Sequence, residues 1–342
     1  MLILKSLLPA SEASSMQFIF KALSILGLCL TIQATPSYAE TNTAYQVPKI
    51  TAGTGVRVRA QPRTTATELG KLSFGTVLVT QQRSATQETI GAKKDYWYSV
   101  NTPIKGWVFG ALLQDYDAKN PDKAAVQLIR SKLGKPDKIL DSGLLNFNEA
   151  VEISQFAQQA ATKAKSVEAA GELKLAYLQA VQQGLSAISS EQDKKPPYST
   201  WIKSLGSQVF YHELAGGYYI DARTLWKLAD QYKTAAVGDV IAWQAAHATL
   251  GGECEGFVEC MSYRAQVTAG EYLKRYPKGR YVLPMLDELN EELAYMAKEA
   301  PDQRANVKEI DFALWDKILA PLSKSQSLDK TKQYLKQIKA YR

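Results

Sequence analysis

Between residues 55 and 114 the chain reads as a set of short strands separated by turn formers. Val56 and Val58 alternate with Arg57 and Arg59, giving one apolar and one charged face. Gln61-Pro62 and Phe74-Gly75 supply breaks, and Tyr96 to Val100 is an aromatic, β-favouring run. About sixty residues of such strands cannot form a doubly covered sheet, so a small barrel is the natural closure. Gln81 to Asp95 is polar and falls between two strands, which makes it a candidate mobile specificity loop or a merely tolerated insertion.

Within this region Val100 and Val108 are expected to point inward. The two-residue alternation then sends Trp97, Trp107 and Phe109 to the opposite face and leaves Tyr98 in the core. Exposed rings beside Arg57 and Arg59 would stack on sugar rings or hold a peptide by apolar contact and charge. These five residues are the candidate ligand-binding set. The competing reading has the same rings sealing the barrel or packing on the rest of the protein.

Order and spacing in this region resemble the bacterial SH3 (SH3b) family, in which a V-R-x-x-P stretch precedes a G-x-L-x-x-G turn, a W-Y-x-V strand and a final G-W-V. The matching residues are Val58-Arg59-Ala60-Gln61-Pro62, Gly70-Lys71-Leu72-Ser73-Phe74-Gly75, Trp97-Tyr98-Ser99-Val100 and Gly106-Trp107-Val108. The resemblance implies an SH3-like β-barrel that binds peptidoglycan or an envelope protein or peptide. It also implies that the tryptophan of the G-W-V stretch, Trp107, is as often structural as ligand-binding.

After a polar stretch at 115–122, read as a linker, the period becomes helical from Lys123 onward. Leu178, Val181, Leu185 and Ile188 mark one apolar stripe, and residues 150–189 predict a pair of helices breaking near Gly171. Further helices are expected over 221–232, 240–248, 257–275, 281–297, 310–319 and 328–340. Residues 270–281 resemble the corner between tetratricopeptide-type repeats, but no fixed period accompanies them. The expected fold is therefore multi-domain β + α: a small barrel at 40–114 followed by an all-α bundle or irregular helical-repeat domain at 123–342.

The N-terminus reads as a targeting signal. From Met16, Lys21 precedes the apolar run Ala22 to Ile32, and Ser37-Tyr38-Ala39 fits the small-x-small rule for cleavage after Ala39. Residues 1–15 are then an upstream extension. The run is too short to span a bilayer, so no transmembrane span is expected in the mature protein. An exported, periplasmic or secreted protein follows.

Removing residues 1–39 takes Lys5, Lys21 and Glu12 and lowers the net charge of +7 by one. The remaining charge suits work beside anionic polymers or headgroups, but it is spread along the chain without a run of like charges. Nothing suggests nucleic acid.

Two cysteines remain, Cys254 and Cys260. On one continuous helix they would point to different faces, but Gly251-Gly252 breaks the chain and lets them meet. A disulfide closing so short a ring stabilises by about 2 kcal/mol. Glu253-Cys254-Glu255-Gly256-Phe257-Val258 also resembles the D-C-S-G-F-V nucleophile motif of papain-like peptidoglycan endopeptidases, which would make Cys254 catalytic. That family takes its base histidine from downstream, whereas His212 and His247 both lie upstream. His212-Glu213 lacks the second histidine of a zinc-protease helix. No catalytic residue, metal or cofactor is therefore expected. The sequence reads as an exported, non-catalytic binding or adaptor protein, with a Cys254-dependent wall hydrolase as the alternative.

Overall fold

Val56 and Val58 are buried while Arg57 faces solvent, as the alternation requires. In a computed structural model that describes residues 42–137 and 145–342, they belong to a curled antiparallel sheet of eight strands. These are β1 (Thr43–Ala44), β2 (Pro48–Thr51), β3 (Val56–Arg59), β4 (Glu68–Leu72), β5 (Val77–Ile90), β6 (Lys93–Val100), β7 (Gly106–Phe109) and β8 (Leu113–Asp115). The order is β4-β3-β7-β6-β5-β2-β8, with β1 paired to β5 off that path. Val56, Val58, Leu72, Leu78, Val100 and Val108 fill its concave side. Residues 1–39, with the expected signal peptide, lie outside the described residues.

The expected polar insertion at 81–95 is not a loop. It is the outer half of the β5–β6 hairpin, paired from Gln87 opposite Tyr96 to Ile90 opposite Lys93, with register shifts on either side of Gln82 and Arg83. A hairpin that runs past the core is wet on both faces, so its side chains are as polar as those of a loop. Composition does not separate the two.

Helices follow. Pro121 opens α1 (Pro121–Leu133), so residues 115–122 hold the end of β8 and the first turn of α1. A reciprocal capping box between Asn146 and Glu149 starts α2 (Phe147–Lys163), and Ser166 caps α3 (Val167–Ser186). The expected break near Gly171 lies instead at 164–166. Gly171 sits inside α3 because a Cβ there would come within 2.5 Å of Val237. Beyond it are α4 (Tyr198–Leu205), α5 (Ala222–Gln231), α6 (Ala236–Ala246) and α7 (Val258–Ala265), which a π turn joins to α8 (Glu271–Arg275). The last four are α9 (Val282–Glu299), α10 (Arg304–Glu309), α11 (Phe312–Leu319) and α12 (Gln326–Lys339).

The C-terminal region is not all-helical. Val209–His212 (β9) and Gly217–Ile220 (β10) form an antiparallel hairpin. Its alternating aromatics, Phe210, Tyr211, Tyr218 and Tyr219 around Gly216-Gly217, are a strand signal that the His-Glu pair obscures.

Sheet and helices share one core. Ile50 and Phe74 of the sheet side are buried with Leu128 and Ile129 of α1, Ile153 of α2 and Leu173 of α3. Glu152 of α2 accepts the backbone N–H of Phe74 at 2.9 Å and that of Gly55 at 3.4 Å. The turn before β5 presses on α2 through Gly75, whose φ of +78° and lack of a Cβ admit the ring of Phe156.

Candidate functional site

The structure separates the five predicted ligand residues. Trp97 and Phe109 do lie on the face opposite Val100 and Val108, but they are 2% and 4% exposed and pack on each other with centroids 5.6 Å apart. A second layer covers them. The indole N–H of Trp97 donates to Glu88 at 2.6 Å, and Glu88 also accepts from the Thr64 hydroxyl at 2.7 Å. Arg59 holds the same loop by donating to the Ala66 carbonyl at 2.7 Å. Burial pushes the Glu88 carboxyl up, but the bonds from Thr64 and Trp97 and the Arg59 charge outweigh it and hold the group below its usual range. The sequence-based expectation of exposed rings is therefore corrected for Trp97 and Phe109, which seal the sheet. Trp107 is half-buried opposite Arg59, and exposed Arg57 pairs with Glu68 at 2.9 Å.

A second cluster on the sheet escaped the sequence reading. Tyr45 packs on Tyr98 with centroids 5.1 Å apart, and the Lys49 ammonium lies 5.7 and 5.4 Å from their centroids. Lys49 also bonds Asp115 at 2.7 Å. Burial lowers the lysine's pKa, but Asp115 outweighs it and holds the ammonium above its usual range. Arg83, the cross-strand partner of Tyr98, lays its guanidinium 4.2 Å over Tyr96, and its Nε is buried without a hydrogen-bond partner among the described residues. Burial and Asp95 push the Tyr98 phenol up. Only pairing of β5 with β6 brings Arg83 to these rings, and reading 81–95 as a loop hid it.

Cys254 and Cys260 lie at disulfide distance, 2.12 Å between sulfurs, in and just after the loop that precedes α7. Arg264 of α7 clasps that loop by donating to the carbonyls of Leu250, Gly251 and Gly252. Both histidines have local partners. The His212 Nδ1 accepts from the Ala215 N–H at 3.2 Å, and His247 bridges the Trp243 carbonyl at 2.7 Å and Glu288 at 2.8 Å. Among the described residues no group of three His, Cys, Asp or Glu is placed to hold a metal ion. No described helix is long and apolar enough to cross a membrane.

No family model, curated protein or solved structure matches the chain.

A sulfur in a disulfide is not a nucleophile, because only the thiolate attacks. Protein purified from an oxidising compartment and denatured without reductant is expected to show no free thiol and a mass about two units below its reduced form. Gel clearing of peptidoglycan that disappears in Cys254→Ala, or a fast-alkylating Cys254, would restore the hydrolase alternative.

Proposed function

We propose that this is an exported, non-catalytic binding protein whose SH3b-like sheet docks on peptidoglycan or on an envelope protein or peptide, with the helices as its rigid support. One observation carries the reading. Lys49 and Arg83 lie over tyrosine rings on one region of the sheet. Aromatic edges beside two cations suit a ligand that combines apolar or sugar surface with a carboxylate, as a wall stem peptide does. The order of the V-R-x-x-P, G-x-L-x-x-G, W-Y-x-V and G-W-V stretches supports the SH3b assignment, and the Cys254–Cys260 pair is compatible with export.

Co-sedimentation with purified sacculi tests it. Wild type is expected to pellet with them, and Arg83→Ala to weaken binding about tenfold by losing a charge-assisted contact. Full binding in Arg83→Ala with loss in Arg57→Ala or Trp107→Ala would move the site to β3 and β7. A protein that ignores sacculi and captures no envelope partner would sink the reading.

A further inference from the structure

The C-terminal helix concentrates charge that the linear sequence disperses. From Lys324 to Arg342 the chain carries Lys324, Lys330, Lys332, Lys336, Lys339 and Arg342 against Asp329 alone. On α12, Lys332, Lys336 and Lys339 recur at four and three residues, so they form one row about 10 Å long.

That row edges a groove of about 440 Å³ between α11 and α12. Its floor is made by Phe312, Trp315, Leu319 and Leu335, all buried. The floor offers no polar donor, because the Trp315 indole N–H is already spent on the Ser262 hydroxyl at 2.9 Å. Lys339 and Arg342 hang over the Phe312 ring at 5.6 and 6.0 Å. Asp316 is the one carboxylate lining the groove, and none of the three lysines forms an ion pair among the described residues.

We infer that the α11–α12 face docks on an anionic phospholipid surface, with Lys332, Lys336 and Lys339 on the headgroup phosphates. A pocket for a free phosphate would converge backbone N–H groups or an arginine fork on one point. Here the donors are separate ammonium groups in a line above an apolar, aromatic floor. Such an arrangement matches a plane of headgroups rather than a single ion. The docking is peripheral, it involves neither the sheet nor the disulfide loop, and it holds or fails independently of wall binding.

The test is co-sedimentation of the purified protein with phosphatidylcholine vesicles containing or lacking phosphatidylglycerol, at low and physiological salt. Binding is expected only to the anionic vesicles, and to weaken as salt rises. Each Lys→Gln change should reduce it about fivefold, and the K332Q/K336Q/K339Q triple on the order of a hundredfold. These side chains are exposed, so circular dichroism of the triple should match wild type. The control triple K203Q/K233Q/K278Q removes the same charge elsewhere and should keep most of the binding. Equal loss in both triples would reduce the effect to net charge and overturn the site. Unchanged binding in K332Q/K336Q/K339Q, binding to pure phosphatidylcholine, or release by millimolar inorganic phosphate would each overturn it as well.

Discussion

Gly75→Ala is expected to destabilise the whole protein, sheet and helices together, by about 2–5 kcal/mol. Two effects add. Alanine at a φ of +78° pays the left-handed penalty of about 1–2 kcal/mol. Its Cβ would also lie 2.1 and 2.3 Å from the Phe156 ring, which stands edge-on to Phe74 with centroids 5.4 Å apart. Relieving that overlap means moving a ring in the core shared by sheet and α2, a cost of about 1–3 kcal/mol. Urea unfolding followed by far-ultraviolet circular dichroism and by exchange protection of β3 and β6 checks the prediction. Because Ile50 and Phe74 are buried with α1, α2 and α3, both signals should be lost in one transition. The Gly75→Ala/Phe156→Ala double variant should be less destabilised than the sum of the singles, since removing the ring removes the clash. A sheet that melts separately from the helices, or strict additivity, would refute the shared-core account.

Alkaline pH should destabilise the protein steeply between about pH 10 and 12. Tyr272 donates to Asp239 at 2.5 Å and accepts the Tyr281 backbone N–H at 3.1 Å, while the Tyr281 hydroxyl donates to Asp137 at 3.1 Å. Burial first of all, helped by neighbouring carboxylates and opposed at Tyr281 by the Arg280 charge, pushes the Tyr276 and Tyr281 phenols up to about 12 and raises Tyr272 above its ordinary 10.0. The sign follows from which state ionises first. Unfolded phenols lose their protons near pH 10 while the folded ones keep theirs, so stability present below pH 10 drains away as pH rises toward 12. Each fully shifted group would contribute about 1.4 kcal/mol per pH unit. Solvent screening narrows the pH window rather than the slope, so Tyr276 and Tyr281 together lose on the order of 2–3 kcal/mol across it. Denaturant midpoints measured from pH 9 upward should fall in step with a delayed component of tyrosinate absorbance, and Tyr281→Phe should shallow the slope. Titration of every tyrosine near pH 10 with the fold intact would contradict this.

Function-bearing residues divide according to how far their partners lie along the chain. The break at Gly251-Gly252 and the spacing of Cys254 and Cys260 are legible because the whole device sits within ten residues or so. The strands at 56–59 and 96–100 are legible for the same reason. Alternation places Trp97 and Phe109 on the correct face but does not show their burial, because the cover comes from Glu88 and Thr64 on other segments. Arg83 is hidden in the sequence together with its hairpin. A two-sided polar strand and a loop have the same composition, and only the partner strand distinguishes them.

Consecutive residues suffice to show where chain periodicity changes from two to 3.6, which valines face inward, and that the two cysteines can meet. Each of these is written in consecutive side chains and the local backbone geometry they favour. Packing in three dimensions is what gives sheet and helices a shared core, gathers Tyr45, Lys49, Arg83, Tyr96 and Tyr98 on the sheet, and sets three lysines with no run of like charge in one row above an aromatic floor. Burial and pairing depend on residues far apart in the chain that packing brings together, and no local pattern records which distant surface will cover a given side chain.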